Sequence, residues 1–542
     1  MVFELLKNIV LGHKEEKARL YKQNEYLGTV DVKISDNEIE IFTDEFDVTD
    51  IKQIANKKDH LVIKTKEAKY RIFDRNHDQI YEMIHPIIEP EKTLFESDDF
   101  DYYVYDTVKQ CFTLVDLDEK KITVCEDLGG FYLSLEEEER VVHFQPITSA
   151  TQYYMDKANR TVVWSIFKER KYQTFSIKFK ENLDFLKFLT SFVECTYRSV
   201  NEDGTDSKYF EEMFVTVEEK KEEEKEDWTE YAGATENSPP EFVTEEGVEN
   251  RNLVVDDRSV FVTRGRALGV FDTNLNFRTQ VVNAFDNPSK VETYRGHSSL
   301  LGQTKKDELS LLDLEKGEVV DRWSLKEMND FFHAKRREND GTLVGIGDYS
   351  LFRIDPRTKE KVVEAKEYKT KNEFKVGIAT ERGDVAVASA KGDLRLYNDV
   401  GKRAKSLING FGDCATGIDS SKSGSLVLCT YKSYILLYEV GSDYSIGLGR
   451  RKKSPRRLHL KPEHLALINA GVCFTVAKFD QNDRQIVSST GKYLIRWNVA
   501  DVLENKVHRY SIRTFCDEVV DENFAADGEG VIVALPNDVR RL

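Results

Sequence analysis

The sequence has few of the residues that staple or interrupt a chain, with 7 cysteines and 10 prolines among 542 residues. The cysteines show no Cys-x-x-Cys spacing, and their odd number excludes a fully paired disulfide framework. We therefore expect reduced cysteines that are buried in the protein core.

Long apolar runs are also missing, so the sequence predicts no membrane-spanning helix. Glu4 and Lys7 interrupt the short apolar stretch at the N terminus, where a signal peptide carries no charge. These features predict a protein of the cytosol or nucleus, and we expect it to be cytoplasmic. Contact with a membrane surface stays open.

The common catalytic motifs are absent as well. The sequence contains no GxxxxGK[ST] phosphate loop, no HExxH zinc pair and no GxSxG nucleophile elbow. His459 and His464 flank Pro462 without a cysteine or a third histidine nearby, so we interpret them as surface or interface residues rather than metal ligands. We predict a protein that is not an enzyme and that binds no cofactor or metal.

An internal repeat is the strongest positive feature of the sequence. Its copies are GVFD ending at Asp272, SLLD at Asp313, FRID at Asp355, RLYN at Asn398, LLYE at Glu439 and IRWN at Asn498. The intervals between them are 41, 42, 43, 41 and 59 residues, and a looser copy, VRRL, follows at Leu542. Only the fifth interval is out of step.

A period in the low forties, with apolar runs bounded by turn residues, is typical of a four-stranded propeller blade. We therefore predict a mainly β protein whose residues 251–542 form a seven-bladed WD-repeat-like β-propeller. If VRRL is the third strand of the last blade, residues such as Glu241 to Glu246 must supply its fourth strand and close the ring. Closure removes exposed strand edges, which otherwise invite aggregation.

The N-terminal half contains two successive runs of strand-like segments, each followed by a helical pattern. Gly28 to Asp74 precedes a predicted helix at Asn76 to Ile84. Phe100 to Phe179 precedes a second helix, and its apolar face comprises Phe185, Leu186, Leu189, Phe192 and Val193. We interpret residues 1–95 and 96–205 as two pleckstrin-homology-like α+β modules, although many small β-rich domains end in a helix.

Negative charge is concentrated between these halves. The net charge is −18, and Glu211 to Asn250 contain 15 acidic residues and 3 lysines. Such a segment repels itself and has little to bury, so residues 206–250 are predicted to form an acidic disordered linker. A plain solubilising spacer is the simplest role for it.

Positive charge is clustered in two places. The long interval contains Arg450, Arg451, Lys452, Lys453, Arg456, Arg457 and Lys461, and lacks interleaved aromatics for nucleic-acid stacking. Five of the six predicted turns between second and third strands also carry cations, and only Gly347 to Tyr349 lacks one. The turn cations are Arg264, Arg266, Lys305, Lys306, Lys391, Lys432 and Lys492. We interpret the turn cations as a partial ring for an acidic ligand, and the insertion as either a solvated loop or a second anion-binding segment.

Several motifs in the repeat region resemble one known family. They are GDYSLFRIDPR (347–357), VASAKGDLRLYN (387–398), PRRLHLKPEHLALI (455–468), FTVAKFD (474–480), IVSSTGKYLIRWN (486–498) and NFAADGEGVIVALPNDV (523–539). Their order resembles the C-terminal domain of the vacuolar import and degradation protein 27 family. This resemblance implies a cytoplasmic protein with a pleckstrin-homology-like domain, an acidic spacer, a WD-repeat-like propeller and a link to vacuolar protein breakdown.

Together these features favour a non-enzymatic adaptor or scaffold that recruits protein partners with acidic or phosphorylated segments. The alternative is a peripheral membrane or phosphoinositide-binding trafficking factor. That alternative is weak because acidic residues flank Lys120 and Lys121, and Glu169 interrupts the other basic group, Lys168, Arg170 and Lys171.

Overall fold

The computed structural model describes residues 18–22, 25–35, 38–42, 51–57, 60–65, 69–73, 77, 81, 92–127, 130–138, 140–201, 206–217, 229–230, 247–335, 341–370, 372–446, 453–528 and 530–542. The chain divides into two compact units. The first comprises Met1–Tyr102, Leu114–Thr148 and Ile177–Gly204, and the second comprises Tyr103–Thr113, Ser149–Ser176 and Thr205–Leu542.

The first unit begins with a six-stranded antiparallel sheet. Its strands are β1 (Ala18–Lys22), β2 (Glu25–Ser35), β3 (Glu38–Phe42), β4 (Ile51–Asn56), β5 (Leu61–Thr65) and β6 (Lys69–Phe73). They are ordered β3-β2-β1-β6-β5-β4. Ile54, Leu61, Ile63 and Ile72 are fully buried, so the β-branched and leucine positions of β4, β5 and β6 contribute to the core of this sheet.

Nine further strands and a helix follow. The strands are β7 (Lys92–Ser97), β8 (Phe100–Asp106), β9 (Cys111–Val115), β10 (Lys121–Asp127), β11 (Gly130–Glu137), β12 (Arg140–Pro146), β13 (Gln152–Asp156), β14 (Thr161–Lys168) and β15 (Lys171–Phe179). They form two sheets, ordered β12-β11-β10-β7 and β13-β14-β15-β8-β9. Helix α1 (Asn182–Arg198) comes next.

The buried face of α1 differs from the predicted face at one position. Phe185, Leu189, Phe192 and Val193 are buried as expected, but Leu186 is 42% exposed and Phe188 is buried instead. Phe188 lies three residues after Phe185 and completes the helical stripe, whereas Leu186 lies beside it. The ring of Phe188 packs edge-on against Phe95, with the centroids 5.4 Å apart.

The first part of the segment predicted to be disordered is folded. A 3₁₀ helix spans Ser207–Phe214, and its Phe210, Met213 and Phe214 are buried. The Thr216 amide then donates to the Met155 carbonyl at 2.9 Å. The prediction was wrong here because these apolar residues supply enough buried surface to order the backbone. Residues 218–228 and 231–246, including the predicted strand at Glu241 to Glu246, lie outside the described residues.

Seven antiparallel sheets follow in the described part of residues 250–541. The first four contain β17 (Asn250–Val255), β18 (Ser259–Arg264), β19 (Ala267–Asp272) and β20 (Phe277–Val281); β21 (Lys290–Tyr294), β22 (Ser299–Lys305), β23 (Glu308–Asp313) and β24 (Glu318–Ser324); β25 (Asp330–His333), β26 (Leu343–Gly347), β27 (Ser350–Ile354) and β28 (Val362–Glu367); and β29 (Phe374–Ala379), β30 (Val385–Ser389), β31 (Leu394–Tyr397) and β32 (Ser406–Ile408).

The last three sheets vary in size. They contain β33 (Ala415–Ser420), β34 (Leu426–Tyr431), β35 (Ile435–Glu439) and β36 (Arg456–Leu458); β37 (Lys478–Phe479), β38 (Gln485–Thr490), β39 (Tyr493–Asn498) and β40 (Tyr510–Thr514); and β41 (Asp521–Phe524), β42 (Val531–Ala534) and β43 (Val539–Arg541). The two-residue strand β16 (Thr229–Glu230) pairs in parallel with β40. Helices α2 (Pro462–Leu465) and α3 (Val499–Leu503) and a short 3₁₀ helix (Gly296–Ser298) lie in connections.

The repeated tetrapeptides mark the third strand of each sheet. Their residues end β19, β23, β35 and β39, and they overlap β27, β31 and β43. Strands such as β26 and β30 are buried along their whole length, because each sheet has a neighbour on both faces. The described residues between the anchors are mainly strands, as the repeat predicts, and α2 and α3 are the two short α-helices among them.

Carboxylates in first strands join neighbouring sheets. Asp330 of β25 accepts a hydrogen bond from the Gly377 amide in β29 at 3.0 Å, and Asp419 of β33 accepts one from Phe479 in β37 at 2.8 Å. Asp521 of β41 accepts one from the Leu253 amide in β17 at 2.9 Å. The last sheet is therefore joined to the first by the same contact that joins sheets adjacent in sequence.

The cysteines lie partly in the core and partly at the surface. Cys125, Cys195 and Cys429 are buried, but Cys111, Cys414, Cys473 and Cys516 are exposed, so the prediction of seven core cysteines was wrong for four. All seven are free thiols.

Among the described residues, no helix is both long and apolar enough to cross a membrane.

We predict that Asn250→Ala loosens the contact between the first and last sheets. The Asn250 amide side chain donates to the carbonyls of Leu535 at 2.7 Å and Asp538 at 3.2 Å, and accepts from Arg264 Nε at 2.9 Å. Loss of this buried network should cost about 2 kcal/mol, so hydrogen exchange of the β17 amides should accelerate about tenfold or more.

Asn276→Ala is the matched control, because the exposed Asn276 side chain donates to Asp272 at 3.0 Å within a surface turn. Its effect should stay within about 0.5 kcal/mol. Equal exchange rates in the two variants would show that Asn250 does not hold the sheets together.

Candidate functional site

The predicted turn cations lie in the turns between the second and third strands. Arg266, Lys306, Lys391, Lys432 and Lys492 each fall between the end of one strand and the start of the next, and Arg264 and Lys305 are the last residues of β18 and β22. The turn between β26 and β27 contains Asp348 and Tyr349 instead. The repeat alignment therefore placed these residues at equivalent positions.

Five of the six turns between second and third strands accept a backbone hydrogen bond from the connection that enters the next sheet. Backbone amides of Met328, Phe374, Gly412 and Phe474 donate to the carbonyls of Lys306, Asp348, Lys391 and Lys432 at 2.7, 2.9, 3.0 and 2.8 Å. The Val519 amide donates to Gly491 at 2.8 Å, beside Lys492. Because the backbone makes this bond, the side chain at the turn is free to face solvent.

Six of the seven turn cations have exposed side chains. Arg266, Lys305, Lys306, Lys391, Lys432 and Lys492 are exposed. Arg266 approaches Asp286 at 3.5 Å and Lys305 approaches Glu308 at 3.5 Å. In the described part of the chain, Lys306, Lys391, Lys432 and Lys492 have no carboxylate partner.

Arg264 is a correction to this set. Its side chain is only 8% exposed, and its Nε bonds to Asn250 Oδ1 at 2.9 Å. Burial lowers the pKa of this guanidinium. Arg264 therefore supports the first strand of the first sheet and is not accessible to a partner, because it ends a strand and points into the sheet contact rather than into the turn.

The basic insertion is divided between surface and core. Arg450, Arg451 and Lys452 lie outside the described residues. Lys453 is exposed and forms an ion pair with Glu439. Arg456 donates through Nε to the Leu503 carbonyl at 3.2 Å. Residues Arg456–Leu458 form β36, so part of the predicted loop is the fourth strand of the fifth sheet.

Arg457 is buried, contrary to the prediction that it binds a partner. Its side chain is 2% exposed, and its guanidinium donates to the carbonyls of Ser149 at 2.8 Å and Thr151 at 3.1 Å. The guanidinium carbon lies 4.6 Å from the ring centroid of Tyr434 and 5.6 Å from that of Phe214. Burial lowers its pKa to about 10. We call Arg457 and these four partners the arginine seam.

The arginine seam joins residues 149–176 and 205–217 of the second unit to the fifth and sixth sheets. Gln152 donates to the Ser433 carbonyl at 2.8 Å, and the Val472 amide donates to Tyr172 Oη at 2.9 Å. Ser149 Oγ also bonds to Asp413. The strand that carries Arg457 therefore has an intramolecular role.

The two histidines of the insertion are buried rather than at the surface. His459 and His464 are 2% and 4% exposed, and His459 lies beside His508 with ring centroids 4.7 Å apart. Tyr154 stacks on His459 at 5.5 Å. Burial, together with nearby positive groups, lowers the pKa of His459 well below its usual value and that of His508 to about 3. Within the described residues, no group of three histidine, cysteine or acidic side chains is placed to hold a metal ion.

Comparison with known proteins agrees with this geometry. Residues 248–542, more than half of the chain, match the family model described as the VID27 C-terminal WD40-like domain. The protein is thus of the WD40-like β-propeller class in its C-terminal part.

Two curated relatives extend the match. The chain is 35% identical over 327 residues to "Vacuolar import and degradation protein 27" of Schizosaccharomyces pombe, covering 52% of this chain and 40% of that protein. It is 30% identical over 344 residues to the protein of the same name in Saccharomyces cerevisiae, covering 55% of this chain and 44% of that protein. The chain belongs to the VID27 family. It spans less than half the length of these two relatives.

Among solved structures, the C-terminal WD40 domain of Sif2 superimposes with a TM-score of 0.41 and 11% sequence identity. That match covers 55% of this chain and 82% of the other.

We predict that Arg457→Met releases residues 149–156 from the sheets. The variant keeps an apolar stem but loses the donors to the carbonyls of Ser149 and Thr151, which should cost about 2 kcal/mol. Hydrogen exchange of residues 149–156 should then accelerate by at least about tenfold. Lys453→Met is the control on the exposed side of the same segment, and equal protection in both variants would exclude the proposed role of Arg457.

Acid should open the same region. A neutral buried histidine has a folded pKa below its unfolded value of 6.5, so the stability it contributes is present above that value and declines as the pH falls. Lowering the pH from about 7.5 to about 5.5 should cost about 1.4 kcal/mol for each of His459 and His508.

Hydrogen exchange at residues 149–156 checks this locally. A local measurement is needed because Glu522 responds to pH in the opposite direction. Burial raises the pKa of Glu522 to about 7, so the stability that this residue contributes declines as the pH rises. His459→Asn combined with His508→Asn should remove the acid dependence, whereas His333→Asn, at a histidine bonded to the Thr293 carbonyl, should retain it. If residues 149–156 of the double variant still exchange faster in acid, groups other than these two histidines cause the acid response.

Proposed function

We propose that this protein is a non-enzymatic cytoplasmic adaptor whose propeller recruits acidic segments of partner proteins. The observation that carries the proposal is the set of four exposed lysines, Lys306, Lys391, Lys432 and Lys492, at equivalent turns without carboxylate partners in the described residues. Unpaired exposed charge at repeated positions creates a directional positive field. Such a field attracts anionic segments and orients them toward one surface.

A closed ring of seven blades is the architecture that this proposal needs. It is supported by the seven sheets of residues 250–541 and by the bonds from Leu253 to Asp521 and from the Asn250 amide to the Pro536 carbonyl at 2.8 Å. In the second of these bonds, the segment that enters the first sheet donates to the turn between β42 and β43 of the last sheet. The connections between successive sheets make the same kind of bond, for example from Gly412 to Lys391. In a ring, all turns of one kind face one side.

The N-terminal half supplies the second docking module in this proposal. The pleckstrin-homology-like interpretation of residues 96–205 is supported by two antiparallel sheets followed by one terminal helix, α1. Lys121 pairs with Glu96 at 3.0 Å, and that contact raises its pKa. A paired lysine is a poor phosphate ligand, so we favour protein partners over lipid headgroups for this module.

Two modules in one chain give binding without a single tight contact, because linked sites raise the effective concentration of each other's partner. The names of the curated relatives suggest that the recruited partners belong to vacuolar import and degradation. The cytoplasmic location belongs to the same proposal.

We predict that reversing three turn lysines weakens binding to an acidic probe. Lys391→Glu, Lys432→Glu and Lys492→Glu together change the local charge by six units, and retention of the full chain on immobilised poly-glutamate should fall about tenfold or more at low salt. Chromatography at two salt concentrations measures the effect, which should shrink as salt rises.

The matched control reverses Lys316, Lys359 and Lys402, which lie in turns between third and fourth strands, at the opposite ends of three sheets. The net charge is then equal but the turns between second and third strands are unchanged. If both triple variants lose retention equally, net charge alone explains the binding and the proposed ring is wrong.

A further inference from the structure

A fully buried carboxyl group lies between the sixth and seventh sheets. It belongs to Glu522 of β41, whose side chain is 0% exposed. Glu522 Oε1 accepts a hydrogen bond from Thr475 Oγ1 at 2.6 Å. Thr475 belongs to the connection that enters the sixth sheet, where its amide donates to the Ser489 carbonyl at 2.9 Å. The carboxyl group therefore bridges the two sheets, and it belongs neither to the turn cations nor to the arginine seam.

The second oxygen of this carboxyl group has no hydrogen bond. In the part of the chain that the structure describes, Glu522 Oε2 and Ser489 Oγ are both buried oxygens without a hydrogen-bond partner. Ser489 is itself fully buried and lies beside the carboxyl group. A serine hydroxyl can donate to an ionised carboxylate or accept from a neutral carboxylic acid. The charges around the site decide between the two forms.

The charged groups that face Glu522 are Lys478 and Asp521. Lys478 Nζ donates to Asp521 Oδ1 at 2.7 Å, and its bond to Glu522 goes to the main-chain carbonyl. Lys478 and Asp521 thus compensate each other, so an ionised Glu522 adds one further negative charge to the protein core. Burial raises the pKa of Glu522 to about 7, because the cost of removing its charge from water outweighs the attraction of Lys478. These surroundings favour the neutral acid.

The contact between the second and third sheets has the same lysine and aspartate but no glutamate. Lys290 Nζ donates to Asp330 Oδ1 at 2.8 Å and to the Phe331 carbonyl at 2.8 Å, as Lys478 does in the later contact. Phe331, which follows Asp330 in the sequence, is fully buried. An apolar side chain therefore suffices at this position, and packing alone does not require the carboxyl group of Glu522.

We propose that Glu522 is a neutral carboxylic acid in the folded protein and that its ionisation loosens the contact between the sixth and seventh sheets. The proton on Oε2 is donated to Ser489 Oγ, which gives both oxygens a partner. When the proton leaves for solvent, a buried charge remains with too few donors. Separation of β41 from the sixth sheet then exposes the carboxylate to water and becomes easier.

This carboxyl group responds to pH in the direction opposite to His459 and His508. Its folded pKa of about 7 lies above its ordinary value of 4.5, so the stability that it contributes declines as the pH rises between these two values. Above the folded pKa the loss is complete and stays constant. Mild acid therefore strengthens the contact of β41 while it loosens residues 149–156. One part of the second unit opens in mild acid while the contact between the last two sheets holds.

The test is hydrogen exchange of the β41 amides in the full chain between about pH 5.5 and about pH 8.5, with each rate divided by that of an unfolded chain at the same pH. Protection should fall about tenfold for each pH unit up to about pH 7 and then level off. In Glu522→Gln, which is neutral at every pH and carries an amide donor, protection should stay constant. The matched control is Glu518→Gln at an exposed position shortly before β41, and it should behave like the unchanged chain.

Two further variants separate this group from others. His459→Asn combined with His508→Asn should retain the fall in β41 protection, because those residues respond in the opposite direction. Ser489→Ala removes the acceptor of the proton, so the midpoint of the fall should move to lower pH. Thermal unfolding shows whether each variant is folded, and if Glu522→Gln is not, the direction of the midpoint shift in Ser489→Ala decides.

Three outcomes would overturn the proposal. The first is β41 protection that does not change with pH in the unchanged chain. The second is an equal fall in Glu522→Gln, which would show that another group titrates. The third is a midpoint that moves to higher pH in Ser489→Ala, because Ser489 would then donate to an ionised carboxylate rather than accept from a neutral acid.

Discussion

The hydrogen bond from one sheet to the next is the constraint on which the C-terminal structure depends. Each twisted sheet has two apolar faces, so it is stable only between two neighbours. Carboxylates of Asp330, Asp419 and Asp521 fix the distance between first strands by accepting backbone amides of another sheet. Gly377 shows how close that approach is, because a Cβ there would lie 2.5 Å from Ile346 Cδ1. The contact of Asp521 with Leu253 gives the first and last sheets the same support as the others.

At the turns between second and third strands, the backbone and not the side chain makes the contact with the next sheet. The carbonyl of Lys391 or Lys432 accepts an amide from the following connection, so the backbone position is fixed whatever side chain the turn carries. Asp348 makes the same backbone contact with a side chain of opposite charge. The side chains at these turns are thus free to differ in charge without loss of the fold, which is why a ligand-binding role is compatible with the repeat.

The sequence revealed the repeat because each copy repeats a local pattern: an apolar run, a turn and a third strand. It could not reveal contacts between distant segments. Arg457 and Lys453 belong to the same basic run, yet Arg457 is buried because Ser149, Thr151 and Phe214 come to it from another part of the chain. Leu186 was assigned to the buried face of α1, whereas the helical stripe that begins at Phe185 continues at Phe188, which packs against Phe95.

Arginine occurs here in three environments that have different consequences. Arg457 is fully buried, but carbonyl groups and two aromatic rings surround its guanidinium, so its charge is compensated within the protein. Arg353 is compensated by Glu364 and Asp399. Arg496 and Arg513 share a partly buried face with no such partner in the described residues. Burial of an uncompensated charge lowers stability, so these two arginines stabilise the sixth sheet less than an arginine paired with a carboxylate would. The groups that surround an arginine, rather than its exposure, therefore decide how much it stabilises the fold.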